Sequence, residues 1–119
     1  MANYSHAEGQ ETQSRGVASH AGGRGCIANK NYSFATGFGT YANSESQAVV
    51  GQYNIIDNAD ENMFIVGTGY IDQTQNIVYR NGLVVRKDGE VWIPQKIKVG
   101  GNSYNEGIDI ATMQEINAL

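Results

Sequence analysis

Cysteine, proline, tryptophan and leucine are nearly absent from this chain of 119 residues, which has one Cys (Cys26), one Pro (Pro94), one Trp (Trp92) and two Leu (Leu83 and Leu119). A single thiol excludes an intrachain disulfide framework of the kind that staples small secreted domains. So few leucines beside 15 glycines leave little material for a globular core. Positive charge is also scarce: 8 Lys and Arg face 12 Asp and Glu, a net charge of −4. That is the wrong sign for a nucleic-acid footprint, which needs a basic patch, and it opposes contact with anionic lipid. No apolar run approaches the ~18 residues of a membrane-spanning helix, so neither nucleic acid nor membrane insertion is expected. The N-terminal MANYSHAEG lacks the basic start and apolar core of a signal peptide. It opens inside a repeat pattern, which points to a piece of a longer parent with further repeats upstream.

What the chain does contain is a period of fourteen. Residues 5–18 (SHAEGQETQSRGVA), 19–32 (SHAGGRGCIANKNY), 33–46 (SFATGFGTYANSES) and a degenerate 47–60 (QAVVGQYNIIDNAD) place Gly9, Gly23, Gly37 and Gly51 in register. Ser5, Ser19 and Ser33 align as well, and Ala7, Ala21, Ala35 and Val49 stand two positions before each glycine. A fixed period identifies a stacked architecture, and fourteen is too short for the helical pairs of α-solenoids, which need about 33 to 47 residues. It suits one β-coil, since at about 3.3 Å per residue two short strands and two tight turns fit in one period. A glycine recurring in register supplies the turn, because only glycine takes positive φ freely. Small residues such as Ala7, Ala18, Ala21, Gly22, Ala28, Ala35 and Ala42 then predict a narrow interior on which coils stack closely. Tyr4, Val17, Ile27, Tyr32, Phe34, Phe38 and Tyr41 are too large for that interior, and some of them are expected on a face between chains.

SHAEG with a Thr three residues after the glycine (Thr12, and Thr40 in the third row), recurring as SHAGG and SFATG, resembles the head repeats of trimeric autotransporter adhesins and of bacteriophage neck-appendage and tail-fibre proteins. SQAVVGQYN (46–54), NMFIVGTG (62–69), RNGLVVRKDGEVW (80–92) and IKVGGNSYNEG (97–107) are similar to segments that follow such repeats in phage appendages. The resemblance spans about nine-tenths of the chain, and it implies a left-handed parallel β-roll with three chains packed side by side as an obligate trimer. Burial points the same way, because three or four coils alone would leave most of their apolar face open.

Beyond residue 52 the period fades. Ala48-Val49-Val50 and Met63-Phe64-Ile65-Val66 read as strands buried on both faces, separated by a polar turn over 57–62. Residues 76–80 and 83–86 around Asn81-Gly82 have the pattern of a hairpin with a type I′ turn. A second turn at Asp88-Gly89 leads to Val91-Trp92-Ile93, which Pro94 ends. Lys96–Val99 alternates as a half-buried strand broken at Gly100-Gly101-Asn102, and Ile108, Thr112, Ile116 and Leu119 fall on a helical stripe that Asp109 could cap. The expected fold is all-β: a β-roll over 1–52, a hairpin and trimerisation segment over 53–107, and a helix or start of a coiled-coil stalk over 108–119.

Chemistry is thinly signalled. His6 and His20 share one repeat position that Phe34 takes in the third row. Stacked histidines suit a metal, but the replacement by Phe favours a flat ring that packs. Cys26, in the column of Thr12 and Thr40, reads as a small filler. Gly22-Gly23-Arg24-Gly25 resembles a phosphate cradle with no helix behind it. Glu8/Glu11 and Asp57/Asp60/Glu61 sit in turn-like segments where solvated carboxylates are ordinary, and 57–60 lacks the spacing of a calcium loop. Arg80, Arg86, Lys87, Lys96 and Lys98 are interleaved with Asp88 and Glu90 as ion pairs. No catalytic, cofactor-binding or metal-binding residue is assigned, no cofactor is implied, and the chain is not expected to be an enzyme.

The function implied by the resemblance is a structural or adhesive module of a trimeric phage tail fibre or appendage on the virion. Its partners would be two further copies of itself and a glycan or other receptor on the host surface. A bacterial surface adhesin head is the alternative. A third reading is part of a self-cleaving intramolecular chaperone, which would need Ser44, Ser46 or Ser103 as nucleophile with an activating neighbour.

Overall fold

The computed structural model describes residues 2–110. Those residues measure about 55 × 36 × 27 Å and hold fourteen strands and one 3-10 turn. Each fourteen-residue repeat makes one coil with a strand on each of two faces. The first face receives β1 (His6–Ala7), then β3 (His20–Arg24), β5 (Phe34–Phe38) and β7 (Ala48–Gln52), while β2 (Gln13–Ser14), β4 (Ile27–Ala28) and β6 (Tyr41–Ala42) form the second. All these pairings are parallel and each shifts by fourteen residues: His6 faces His20, His20 faces Phe34, Phe34 faces Ala48, and Ser14 faces Ala28. The expected all-β solenoid of fourteen-residue coils is therefore present, with about four turns.

Three corners turn each coil, and all use the left-handed region of the backbone. One holds Gly9, Gly23, Gly37 and Gly51 with φ of 97, 96, 115 and 98°. A Cβ on any of the first three would run into the carbonyl of the next glycine in the column, so glycine is required there both by conformation and by the approach of the next coil. The other two corners take Tyr4, Ala18, Tyr32, Ser46 and Asp60, and Glu11, Gly25, Gly39 and Tyr53. Ala18 therefore lies exposed at a corner and not in the interior. The repeated serine is explained at the first of these corners: Ser5, Ser19 and Ser33 each donate their hydroxyl to the carbonyl three residues back, at 2.6, 2.7 and 2.6 Å. Ala21, Ala28, Ala35, Ala42, Cys26, Val49 and Ile65 make the fully buried interior.

The last coil is longer. β8 (Asn62–Thr68) pairs parallel with β7, with Ala48 opposite Phe64, a step of sixteen. Beyond it the chain reverses: β11 (Asn81–Arg86) runs antiparallel to β8, and β12 (Val91–Trp92) antiparallel to β11, completing a seven-stranded sheet. Between them, β9 (Tyr70–Ile71) and β10 (Ile77–Val78) form a small hairpin, and β13 (Lys98–Val99) pairs with β14 (Ile108–Asp109) around a 3-10 turn at Tyr104–Glu106.

Three expectations are corrected here. Asn81-Gly82 is not a hairpin turn but the bulged start of β11; the buried Asn81 side chain accepts the Ile55 N–H at 2.9 Å, and this long-range bond outweighs the local turn preference. The turn lies at 72–75 instead, where Asp72 Oδ1 accepts from the N–H groups of Thr74 and Asn76 at 2.9 Å. Within the chain β7 and β8 are buried on one face only, their burial alternating with the two-residue period of a strand. Ile108–Asp109, expected to open a helix, is a strand; the rest of that expected helix, from residue 111 on, lies outside the described residues.

Candidate functional site

The outer surface of the seven-stranded sheet carries a column of rings. His6 stacks on His20 with centroids 4.8 Å apart and planes 8° apart, and His20 stacks on Phe34 at 5.0 Å and 15°. The parallel register forces this, since one repeat position on adjacent parallel strands is separated by a single strand spacing, close to ring-stacking distance. The packing role expected for a flat ring at this position is what the rings do. Glu8, two residues after His6 and so on the same face of the strand, places one carboxylate oxygen 3.5 Å from His6 Nε2 and the other 3.7 Å from His20 Nε2. The sequence reading missed Glu8 in this role, although the spacing His6-x-Glu8 with His20 fourteen residues on carried the signal.

Further along the same sheet Arg24 lies over the Phe38 ring at 5.7 Å, Phe38 meets Tyr53 edge-on at 5.0 Å, and Tyr53 meets Tyr79 at 6.2 Å. Gly25, Ile27, Gly39, Tyr41, Tyr53 and Tyr79 border a shallow hollow of about 210 Å³.

A polar hollow of about 320 Å³ lies where the last coil closes, lined by Lys30, Asn43, Ser44, Glu45, Asp57, Asn58 and Asp60. Asp57 is buried, not solvated as expected: its carboxylate accepts the N–H groups of Ala59, Glu61 and Asn62 and the amide of Gln47. With those oxygens occupied by N–H donors, Asp57 holds a loop and is not free to ligate an ion. Ser44, buried, donates to Asp60, and Lys87 donates to the same Asp60 oxygen at 2.7 Å. The Lys87 hydrogen bond first and Ser44 second hold the Asp60 carboxyl below the usual carboxylate range. Ser46 stands at a coil corner two residues after Ser44, and Ser103 precedes the 3-10 turn.

Cys26 is fully buried with Sγ 3.5 Å from the Arg24 carbonyl, a filler as expected. Gly22–Arg24 belongs to β3, which leaves no helix terminus for a phosphate. Arg86 pairs with Glu61 and Asp88, Lys87 with Asp60, and Lys96 with Asp109, while Lys98 sits over the Tyr104 ring at 4.2 Å. No helix among the described residues is long and apolar enough to cross a membrane. No family model, curated protein or solved structure matches this chain.

Proposed function

We infer that this chain is a structural and adhesive module that works as a homotrimer, within a phage tail fibre or appendage, and supports or makes contact with a receptor on the host surface. One observation carries the oligomeric part: no described residue after Val84 is buried, although that stretch contains Val91, Trp92, Ile97, Val99, Tyr104, Ile108 and Ile110. Two-residue strands and a 3-10 turn with those side chains on or beside them, open to water, have little burial of their own to offset their ordering entropy. Three-fold packing supplies it. The same need exists on the coils, where Tyr4, Val17, Tyr32 and Phe34 are exposed.

The mechanism is mechanical. Stacked coils tie each repeat to its neighbours through parallel backbone ladders, and such arrays resist local opening because each unit is held on both sides. Tyr and Asn side chains beside the seams between chains would meet glycan. Light scattering of the purified chain tests the reading. A particle of three chain masses is expected, and a stable monomer would remove its foundation. A glycan array then separates adhesin from pure support: binding to cell-surface glycans is the adhesin's result, and silence leaves the supporting role alone.

A further inference from the structure

The geometry points to a site for one divalent transition-metal ion, of the Zn²⁺ class, formed by His6, Glu8 and His20. Their donor atoms all lie within 4.8 Å of one another, and among the described residues no other three His, Cys, Asp or Glu donors come as close. Tetrahedral zinc at 2.0–2.1 Å from each ligand separates its donors by about 3.4 Å, so binding draws the donors together and tilts the two exposed imidazoles out of their parallel stack, because the ion must lie in both ring planes. Two imidazoles and one carboxylate with room for water is the donor set of an open zinc site. Nitrogen-rich and lacking a second carboxylate, it disfavours Ca²⁺ and Mg²⁺, which take oxygen ligands.

The backbone pre-organises the set. His6 and His20 are directly paired residues of β1 and β3, and their stacked rings already hold the two Nε2 atoms toward the same carboxylate. Gly22, the residue one coil after Glu8, keeps the ground beside His20 open: a Cβ there would come 3.5 Å from His20 Nε2 and 3.7 Å from Glu8 Cγ. In the single chain the His6, Glu8 and His20 side chains are 59, 64 and 35% exposed. The third coil closes the site off, because Phe34 has no nitrogen to offer and ends the ligand column. The site therefore holds one ion and not a ladder of them. Cys26, the remaining soft ligand, is buried and takes no part.

The test titrates the intact chain with ZnCl₂ at pH 7.5, reading heat and the histidine Cε1–H resonances, with CaCl₂ as the hard-ion control. One Zn²⁺ per chain is expected whatever the number of chains in the particle, with both histidine signals moving together and Ca²⁺ leaving them still. His20→Phe copies the third coil and keeps the ring stack. It should weaken Zn²⁺ by more than the roughly 10–100-fold that second-shell changes cost, since it removes a direct ligand. Glu8→Gln should weaken it less. Should His20→Phe fail to fold, His6→Gln on the more exposed first strand gives the same reading. Histidine signals unmoved at millimolar Zn²⁺, or affinity unchanged in a folded His20→Phe or His6→Gln chain, overturns the assignment.

Discussion

Residues 5–52 and 85–110 contrast in a way that composition alone does not suggest. The coils bury alanine, serine and valine and leave their tyrosines outside, whereas the later stretch has the larger apolar side chains and buries none of them. Burial here follows periodicity more than bulk. A small residue repeated every fourteen positions always meets its own copy one coil away, so even Ala21 and Ala35 close off completely. Trp92 and Ile108, on two-residue strands without such copies, stay 52 and 75% exposed among the described residues.

The contrast breaks most sharply at glycine. Gly23→Ala would drive a methyl into the Gly37 carbonyl at φ 96° and should cost about 4 kcal/mol or more, enough to unfold the coils. Gly89→Ala, at φ 92° with nothing within 4 Å, should cost only the conformational penalty of about 1–2 kcal/mol. Urea midpoints of the two variants compare them directly, and equal losses would mean that close coil approach does not matter.

Ile65 couples the regions, lying in the interior with Val49 on one side and Val84 on the other. Ile65→Ala should lose about 2–5 kcal/mol and make unfolding biphasic as the coils separate from the antiparallel strands. A single transition at an unchanged midpoint would deny that coupling.

Smaller effects sharpen the junction. In each earlier coil the N–H of the second-face strand finds the carbonyl of the next coil, as Gln13 does with Cys26 and Ile27 with Thr40. At the end of the stack no strand follows, and the buried side chain of Asn54 substitutes: Oδ1 accepts the Tyr41 N–H at 2.8 Å and Nδ2 donates to the Tyr41 carbonyl at 3.1 Å. Asn54→Ala should cost about 1–3 kcal/mol by leaving those groups unpaired, with amide exchange fastest at Tyr41.

Acid gives the mildest effect and confines it to the loops after the coils. Asp60, held low by Lys87 and then Ser44, and Asp72, held low by the Thr74 hydroxyl and then the Asn76 N–H, have carboxyls depressed by folding. Their contribution is whole above the unfolded carboxylate value of about 4 and fades as pH falls through the lower folded values. Amide resonances of 57–62 and 72–76 should therefore shift below about pH 4 before those of β3 and β5 do. Replacing both residues by Asn should flatten that early response, and simultaneous loss everywhere would contradict it.

Much of the coil region is legible in the residues themselves. Gly9, Gly23 and Gly37 mark a corner, and Ala21 and Ala35 mark the interior, because in a stacked array local spacing and tertiary contact are the same thing. Legibility fails where contacts leave the period. Asn81-Gly82 has the local chemistry of a turn, but Ile55 N–H claims the asparagine. Asp57 looks like a solvated loop carboxylate, but three backbone N–H groups and Gln47 converge on it. At the ring column the repeat predicts that His6, His20 and Phe34 stack, yet only the folded chain shows Glu8 placing one carboxylate oxygen near each histidine.

By itself, then, the order of residues determined the β-coil, its fourteen-residue step and its small-residue interior, since each follows from a repeating steric demand at fixed intervals. Only the folded structure decided how the array ends: the sixteen-residue last coil, the reversal into antiparallel strands, and Asn54 standing in for a missing strand. Those features answer to unpaired backbone groups at the edge of the stack, a demand that exists only once the coils below are in place.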